Sequence, residues 1–375
     1  MKLNFYGALG LFLSVISCQS PQGNIEGTLQ GVESDTILVS QYFMGATKNT
    51  LDTIPLKNGS FSITLPDSAV SFVSIFAKPT GNQALRMSGA QESIVLLPGN
   101  KLKVTGTVEN LQVTGSEFYK EKNAFTELDP LQQKQKELTS YYQKEVQSGR
   151  MNDSLMAVFR SNSEAVYKEK DNLIIAYIKA HPNTELSAYY FATSGYDVVD
   201  ATKDVLNKEL EKGPFKTMIQ ETLQRYNNEN ERREAIKMLN PGSPAPDFSL
   251  PNEKGEMVSL ASLKGKYVVL DFWGMWCGWC LRGIPDMKET YEKYKGKLEI
   301  VGIDCRDEKA DWEAGIRKYE LPWINLYAGK DVTVQNKYAV SAFPTKVVID
   351  PQGNIVKIIV GESPEFYELL KELLK

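Results

Sequence analysis

The sequence predicts a multidomain α+β and α/β chain in three successive parts: a β-sandwich-like N-terminal region, a helical middle and a C-terminal α/β domain. Three observations predict it. Residues 18–115 carry short β-branched and aromatic runs separated by turn signals. Across 116–239 apolar residues recur at helical spacing. The breaker Asn240-Pro241-Gly242-Ser243-Pro244-Ala245-Pro246 then opens a segment, 240–375, in which apolar strands alternate with helical stretches around Cys277-Gly278-Trp279-Cys280. At 375 residues the chain exceeds one typical core.

Residues 1–17 read as a targeting segment. Met1-Lys2 supplies positive charge, and Leu9 to Ile16 is apolar but too short to span a membrane. The run Val15-Ile16-Ser17-Cys18 resembles a bacterial lipobox, which implies cleavage before Cys18 and its lipidation. That reading places the chain in the cell envelope, lipid-anchored and facing the periplasm. An ordinary signal peptide with an incidental Cys18 is the alternative. No other stretch reaches about 18 apolar residues, so the remainder is expected to be soluble.

In the β region, strands are expected at Ile25–Leu29, Thr36–Ser40, Phe61–Leu65, Val70–Phe76, Lys101–Val104 and Leu111–Val113. Turns fall at Lys57-Asn58-Gly59-Ser60, Pro66-Asp67, Pro79-Thr80-Gly81-Asn82 and Pro98-Gly99-Asn100. Regular short strands with this punctuation suggest a small antiparallel sandwich. No cluster of acids, His or Cys marks a catalytic site there.

The helical middle shows Leu155, Val158, Phe159 and Val166, then Leu173, Ile174, Tyr177 and Ile178, at helical spacing. His181-Pro182 ends one helix and Asn183-Thr184-Glu185 starts the next. Gly213-Pro214 opens another, with Phe215, Met218, Ile219 and Leu223 on one face. The charge runs Lys134–Glu137 and Glu229–Glu234 read as solvated faces, and Tyr189-Tyr190-Phe191 as core. His181 is the only histidine, so the usual imidazole base and metal ligand are nearly absent, and neither a metal nor a cofactor is expected. A net charge of −4 gives no reason to expect nucleic acid as a partner.

The chemistry concentrates in the last part. Tyr267 to Phe272 reads as a buried parallel strand, and Leu281 to Tyr294 as a helix. Between them, Cys277 is placed over the helix N-terminus, where unpaired N–H groups and the positive dipole end stabilise a thiolate. Cys280 follows about one turn later, close enough to close a disulfide. Together they make a two-electron thiol–disulfide switch. Leu298–Asp304 is a second core strand, and Lys346–Asp350 and Ile355–Val360 flank the turn Pro351-Gln352-Gly353-Asn354. A last helix is expected from Pro364 to Leu374. With Cys18 assigned to lipid, Cys305 is left over. It reads as a partly buried, inert thiol, and a third redox thiol near the pair is the alternative.

Residues 242–375 resemble the TlpA-like branch of the thioredoxin superfamily. The resemblance is carried by Gly242-Ser243-Pro244-Ala245-Pro246-Asp247-Phe248, Asp271-Phe272-Trp273, Trp276-Cys277-x-x-Cys280, Phe343-Pro344-Thr345 and Asp350-Pro351-Gln352-Gly353. Asn58-Gly59-Ser60-Phe61-Ser62-Ile63 resembles a poorly characterised β domain that often precedes such domains in lipoproteins. The resemblance implies a thioredoxin fold and thiol–disulfide exchange with protein substrates. Cys277 would be the exposed attacking thiolate, and Cys280 the more buried resolving thiol. Asp271 would be the buried carboxylate that relays a proton as Cys280 becomes nucleophilic. Pro344 matches the cis-proline, and Phe343 would offer its backbone to an extended substrate. Trp276, Gly278 and Trp279 would complete the substrate face, with Trp273 packed nearby.

Two departures stand out. Trp279 replaces the usual proline of the central pair, which should alter the redox potential. Gly283 stands where many relatives carry Glu, leaving proton handling to Asp271 or water. Arg282 adds positive charge nearby. Reductive work fits the family best, with a membrane-embedded thiol reductant as electron donor. Isomerase or oxidase activity is the alternative, as is a non-catalytic binding lipoprotein with a structural Cys pair. Peroxide reduction is disfavoured, because the Pro and Thr that should precede its nucleophile are missing before Cys277.

Overall fold

The structure is a computed structural model that describes residues 23–43, 49–78 and 93–375. The targeting segment, Cys18 and the turn at 79–82 lie outside the described residues. The chain divides into two compact units, Met1–Thr222 and Leu223–Lys375.

The first unit begins with β1 (Ile25–Leu29), β2 (Thr36–Phe43), β3 (Thr50–Pro55), β4 (Ser60–Ile63), β5 (Ser71–Ala77), β6 (Ile94–Leu96), β7 (Leu102–Thr107) and β8 (Asn110–Thr114). They form two four-stranded sheets, ordered β4-β1-β7-β8 and β3-β2-β5-β6. Alternation buries Phe61, Ile63, Leu102 and Val104 in one and Ile37, Val39, Val73 and Ile75 in the other. The expectation of a purely antiparallel arrangement needs correction, because β1 runs parallel to β7 with Ile25 opposite Leu102. Parallel neighbours need a long crossover, and here the intervening chain builds the second sheet on the way. The Asn58-Gly59 turn is a tight one. Both residues have positive φ, and Lys57 and Ser60 exchange backbone hydrogen bonds of 2.9 and 3.0 Å.

Helices follow: α1 (Glu117–Ala124), α2 (Asp129–Gln147), α3 (Asp153–Ala180), α4 (Glu185–Thr193), α5 (Tyr196–Thr202) and α6 (Lys216–Met238). Caps set their ends. Asn152 Oδ1 accepts from Leu155 N at the start of α3, His181 closes it, and Thr184 Oγ1 accepts from Ser187 N at the start of α4. Tyr190 and Phe191 are core residues, and Phe118 packs edge-on against Tyr189. Val158, placed on the apolar stripe of its helix, is in fact exposed. The boundary between the units falls within α6.

The second unit contains β9 (Ser249–Pro251), β10 (Met257–Ser259), β11 (Tyr267–Trp273), α7 (Gly278–Lys293), β12 (Leu298–Cys305), α8 (Lys309–Tyr319), β13 (Ile324–Gly329), α9 (Thr333–Lys337), β14 (Thr345–Ile349), β15 (Ile355–Val360) and α10 (Pro364–Leu373). Its main sheet has the order β13-β12-β11-β14-β15. The first three strands run parallel, and β14 and β15 are antiparallel additions. Strand β11 is central and covered on both faces, which explains its unbroken apolar run. The sheet separates two core clusters. Val268, Leu270, Phe272, Val301, Ile303 and Val347 belong to one. Val269, Trp273, Ile300 and Val348 belong to the other, with Ile284 of α7, Trp312 of α8 and Phe366 of α10. This is the thioredoxin fold that the sequence resemblance implied.

Candidate functional site

Side-chain alternation decides what meets what at the centre of this unit. On β11, Asp271 lies between Val269 and Trp273 and so shares their face, the face of α7. Cys277 and Cys280 belong to that same cluster. Cys305 belongs to the cluster on the opposite face, because β12 alternates Val301, Ile303, Cys305 away from α7. This placement favours the inert reading of Cys305 over the alternative of a third redox thiol. It is fully buried, and burial pushes its thiol well above the ordinary cysteine range.

Cys277 caps α7 and forms a disulfide with Cys280, with a Cα–Cα distance of 5.3 Å. The Cys280 backbone N–H donates to Cys277 Sγ at 3.2 Å. On reduction that sulfur keeps a donor and the positive end of the helix, which is where a thiolate is most stable. Cys277 is no more exposed than Cys280; both are 6% exposed. The expected contrast between an exposed and a buried sulfur is absent here, because the closed disulfide tucks both sulfurs into the apolar cluster against which Phe343 packs.

Around the pair the surface is aromatic and cationic. Trp276 and Trp279 are 47% and 60% exposed, whereas Trp273 is buried. The Trp276 indole N–H donates to the Cys305 carbonyl at 2.9 Å, and its ring meets Phe343 edge-on at 5.0 Å. The Arg282 guanidinium lies 3.6 Å above the Trp279 ring. Arg306, at φ +74°, stands 5.2 Å from Trp276 and 5.0 Å from Phe343. Gly278 is exposed and has open space where a side chain would be. The Phe343–Pro344 peptide is cis, and Thr345 Oγ1 donates to the Ala342 carbonyl. The Asp307 carboxylate holds the loop before Cys277 by accepting from Met275 N at 2.6 Å.

Beneath the helix lies a charge cluster that sequence reasoning found only in part. Asp271 is buried, and its register partner on β14 is Lys346, which is 1% exposed. The Lys346 ammonium donates to Glu362 Oε2 at 2.8 Å and stands 3.6 Å from Asp271 Oδ1. The Tyr367 hydroxyl donates to Glu362 Oε1 at 2.8 Å. Burial raises the Asp271 carboxyl above the ordinary carboxylate range; Lys346 opposes that rise and Glu362 adds to it. Lys346, Glu362, Asp307 and Arg306 were missed as site residues. Lys346 left one signal, a lone cation inside the buried run Thr345–Ile349. Among the described residues no group of three or more His, Cys, Asp or Glu is set to hold a metal, and no helix is long and apolar enough to cross a membrane.

Comparison with known proteins gives the following. Residues 241–358 match the model of the AhpC/TSA family, and residues 23–121 match a domain of unknown function, DUF4369. The thiol-disulfide oxidoreductase ResA of Bacillus cereus is 35% identical over 123 residues, covering 32% of this chain and 70% of that protein. ResA of Bacillus subtilis is 34% identical over 128 residues, covering 34% and 71%. A crystal structure of the thioredoxin domain of a thiol-disulfide oxidoreductase from Bacteroides vulgatus is 31% identical, covers 36% of this chain and 99% of that one, and has a TM-score of 0.35.

Proposed function

This chain belongs to the ResA family of thiol-disulfide oxidoreductases, and we propose that it is a lipid-anchored reductase of protein disulfides facing the periplasm. The observation that carries the reading is the Cys277–Cys280 disulfide at the N-terminus of α7, with Asp271 on the same sheet face. In the reductive direction the Cys277 thiolate attacks one sulfur of a substrate disulfide. That bond breaks, and its leaving sulfur takes a proton from solvent. Cys280 passes its proton to Asp271 and attacks Cys277 Sγ, re-forming the internal disulfide and releasing the second substrate sulfur as a thiolate. Two electrons move from protein to substrate, so a thiol reductant must restore the dithiol, and the family resemblance supports a membrane-embedded one. Trp276, Gly278, Trp279 and the Phe343 backbone form the surface on which the substrate chain lies. Anchoring rests on Cys18 and its resemblance to a lipobox.

The test is the reduction potential of the Cys277–Cys280 couple. A value near −270 mV, about that of thioredoxin, supports the reductase, whereas about −120 to −180 mV favours oxidase or isomerase work. Cys277→Ser with Cys280→Ser should abolish disulfide turnover in a chain that stays folded, and Cys18→Ser should release the chain from the membrane fraction. A chain with no reversible couple would be a binding lipoprotein instead.

A further inference from the structure

Gly283 lies one turn beyond Cys280 on α7, and the space beside it is already taken. A Cβ built on Gly283 would fall on the Glu362 carboxylate, 2.6 Å from its Cδ. Glu362 comes from the short link between β15 and α10, far along the chain. Its carboxylate is held on both oxygens, by Lys346 at 2.8 Å and by Tyr367 at 2.8 Å. Lys346 thus sits between two carboxylates and is committed to the nearer one. Asp271 Oδ1, 3.6 Å away, makes no hydrogen bond at all.

We propose that Glu362 is a positioning residue of the exchange reaction: it ties up the Lys346 ammonium, leaves Asp271 under-compensated and able to take the Cys280 proton, and stands beside α7 because residue 283 is glycine. The absence of a helix carboxylate at position 283 is then a relocation, in which one arrives from the far end of the chain. The inference rests on the exchange chemistry proposed above. In the step concerned, the Cys280 S–H bond breaks and its proton moves to the Asp271 carboxylate. The freed electron pair attacks Cys277 Sγ to form the Cys277–Cys280 bond, the Cys277–substrate bond breaks, and the substrate sulfur leaves as a thiolate with the electron pair of the broken bond.

Lys346 on β14 and Glu362 before α10 bear directly on Asp271, and Asp271 in turn bears on Cys305 of β12 and Tyr367 of α10. Lys346 is the cation among them. Removing the Glu362 charge frees Lys346 to close on Asp271, which stabilises the aspartate anion and lowers its pKa.

The experiment is the pH profile of insulin-disulfide reduction by the full chain in its dithiol form, in single turnover. The wild-type rate should rise with pH through a limb that Asp271→Asn removes. Glu362→Gln should move that limb to lower pH by about one unit or more. Gly283→Ala, which presses a methyl group on the carboxylate, should move it the same way and supplies the readout if Glu362→Gln does not fold. Gly283→Asp combined with Glu362→Ala returns a carboxylate from α7 and should restore the wild-type limb, while Glu362→Ala alone stays shifted. Folded Glu362 variants with the limb at its wild-type position would overturn the proposal. Absence of exchange at every pH in the wild type would instead sink the reductase reading itself, and this inference with it.

Discussion

Asp304 shows how much a single buried carboxyl can decide. It is fully buried on β12, and its face is that of Trp273, its register partner. Burial, and after it the neighbouring Asp307, push its pKa up to about 8. In the unfolded chain the same group titrates near pH 4. Between those limits the native state holds a proton that the unfolded state has lost. Stability from this group is therefore complete below about pH 4 and declines as pH rises towards 8, by up to about 1.4 kcal/mol per pH unit. Asp304→Asn keeps the shape and removes the titration. Its melting temperature should exceed that of the wild type by a margin that grows from pH 5 to pH 8, as thermal unfolding across pH would measure. An equal pH dependence in both chains would refute the assignment. Asp271 was legible because the resemblance to thioredoxins places a buried carboxylate at that position of the strand. Glu362 was not, because Gly361-Glu362-Ser363 has the composition of any exposed turn, and only the folded chain brings it to Gly283.

Among the elements, α10 does more than close the domain. Phe366 and Leu370, four residues apart, are both fully buried against the sheet face that carries the disulfide. The Lys346 ammonium lies 5.4 Å from the Phe366 ring centre, so the helix that follows Glu362 also roofs its ion-pair partner. Ser363, one residue after Glu362, accepts from Glu365 N through its Oγ and fixes where α10 begins. Phe366→Ala should cost about 3–5 kcal/mol in denaturant unfolding, from lost transfer energy and the cavity left behind. A loss under about 1 kcal/mol would show that α10 is not seated as described. Most elements from β11 to α10 were readable because each is a local pattern: an apolar strand, a helix start, a Gly353 turn; β13 and α9, between α8 and β14, were not read. The pairing of β1 with β7 was not, since no local pattern signals a partner that distant in the chain.

At the scale of the whole molecule, the question is where the redox unit begins. The sequence break at 240–246 is sharp, yet the compact unit starts at Leu223, inside α6. The reason is physical. Asn336, almost buried at the end of α9, donates to Glu231 Oε2 at 3.0 Å, and Leu239 packs against the core cluster that holds Phe248 and Tyr338. Composition punctuates the chain where the backbone turns, but cooperativity follows the contacts, and here the two differ by about two thirds of a helix. A fragment of residues 223–375 should unfold in one transition and keep the reduction potential of the full chain. A fragment of residues 241–375 should keep the potential, since the cysteine environment is untouched, but lose about 1–3 kcal/mol from one charge-assisted hydrogen bond and the Leu239 contact. Paired measurements of unfolding and potential separate stability from chemistry. If both fragments are equally stable, the part of α6 from Leu223 onward belongs with the rest of its helix, and the redox unit begins where the prolines do.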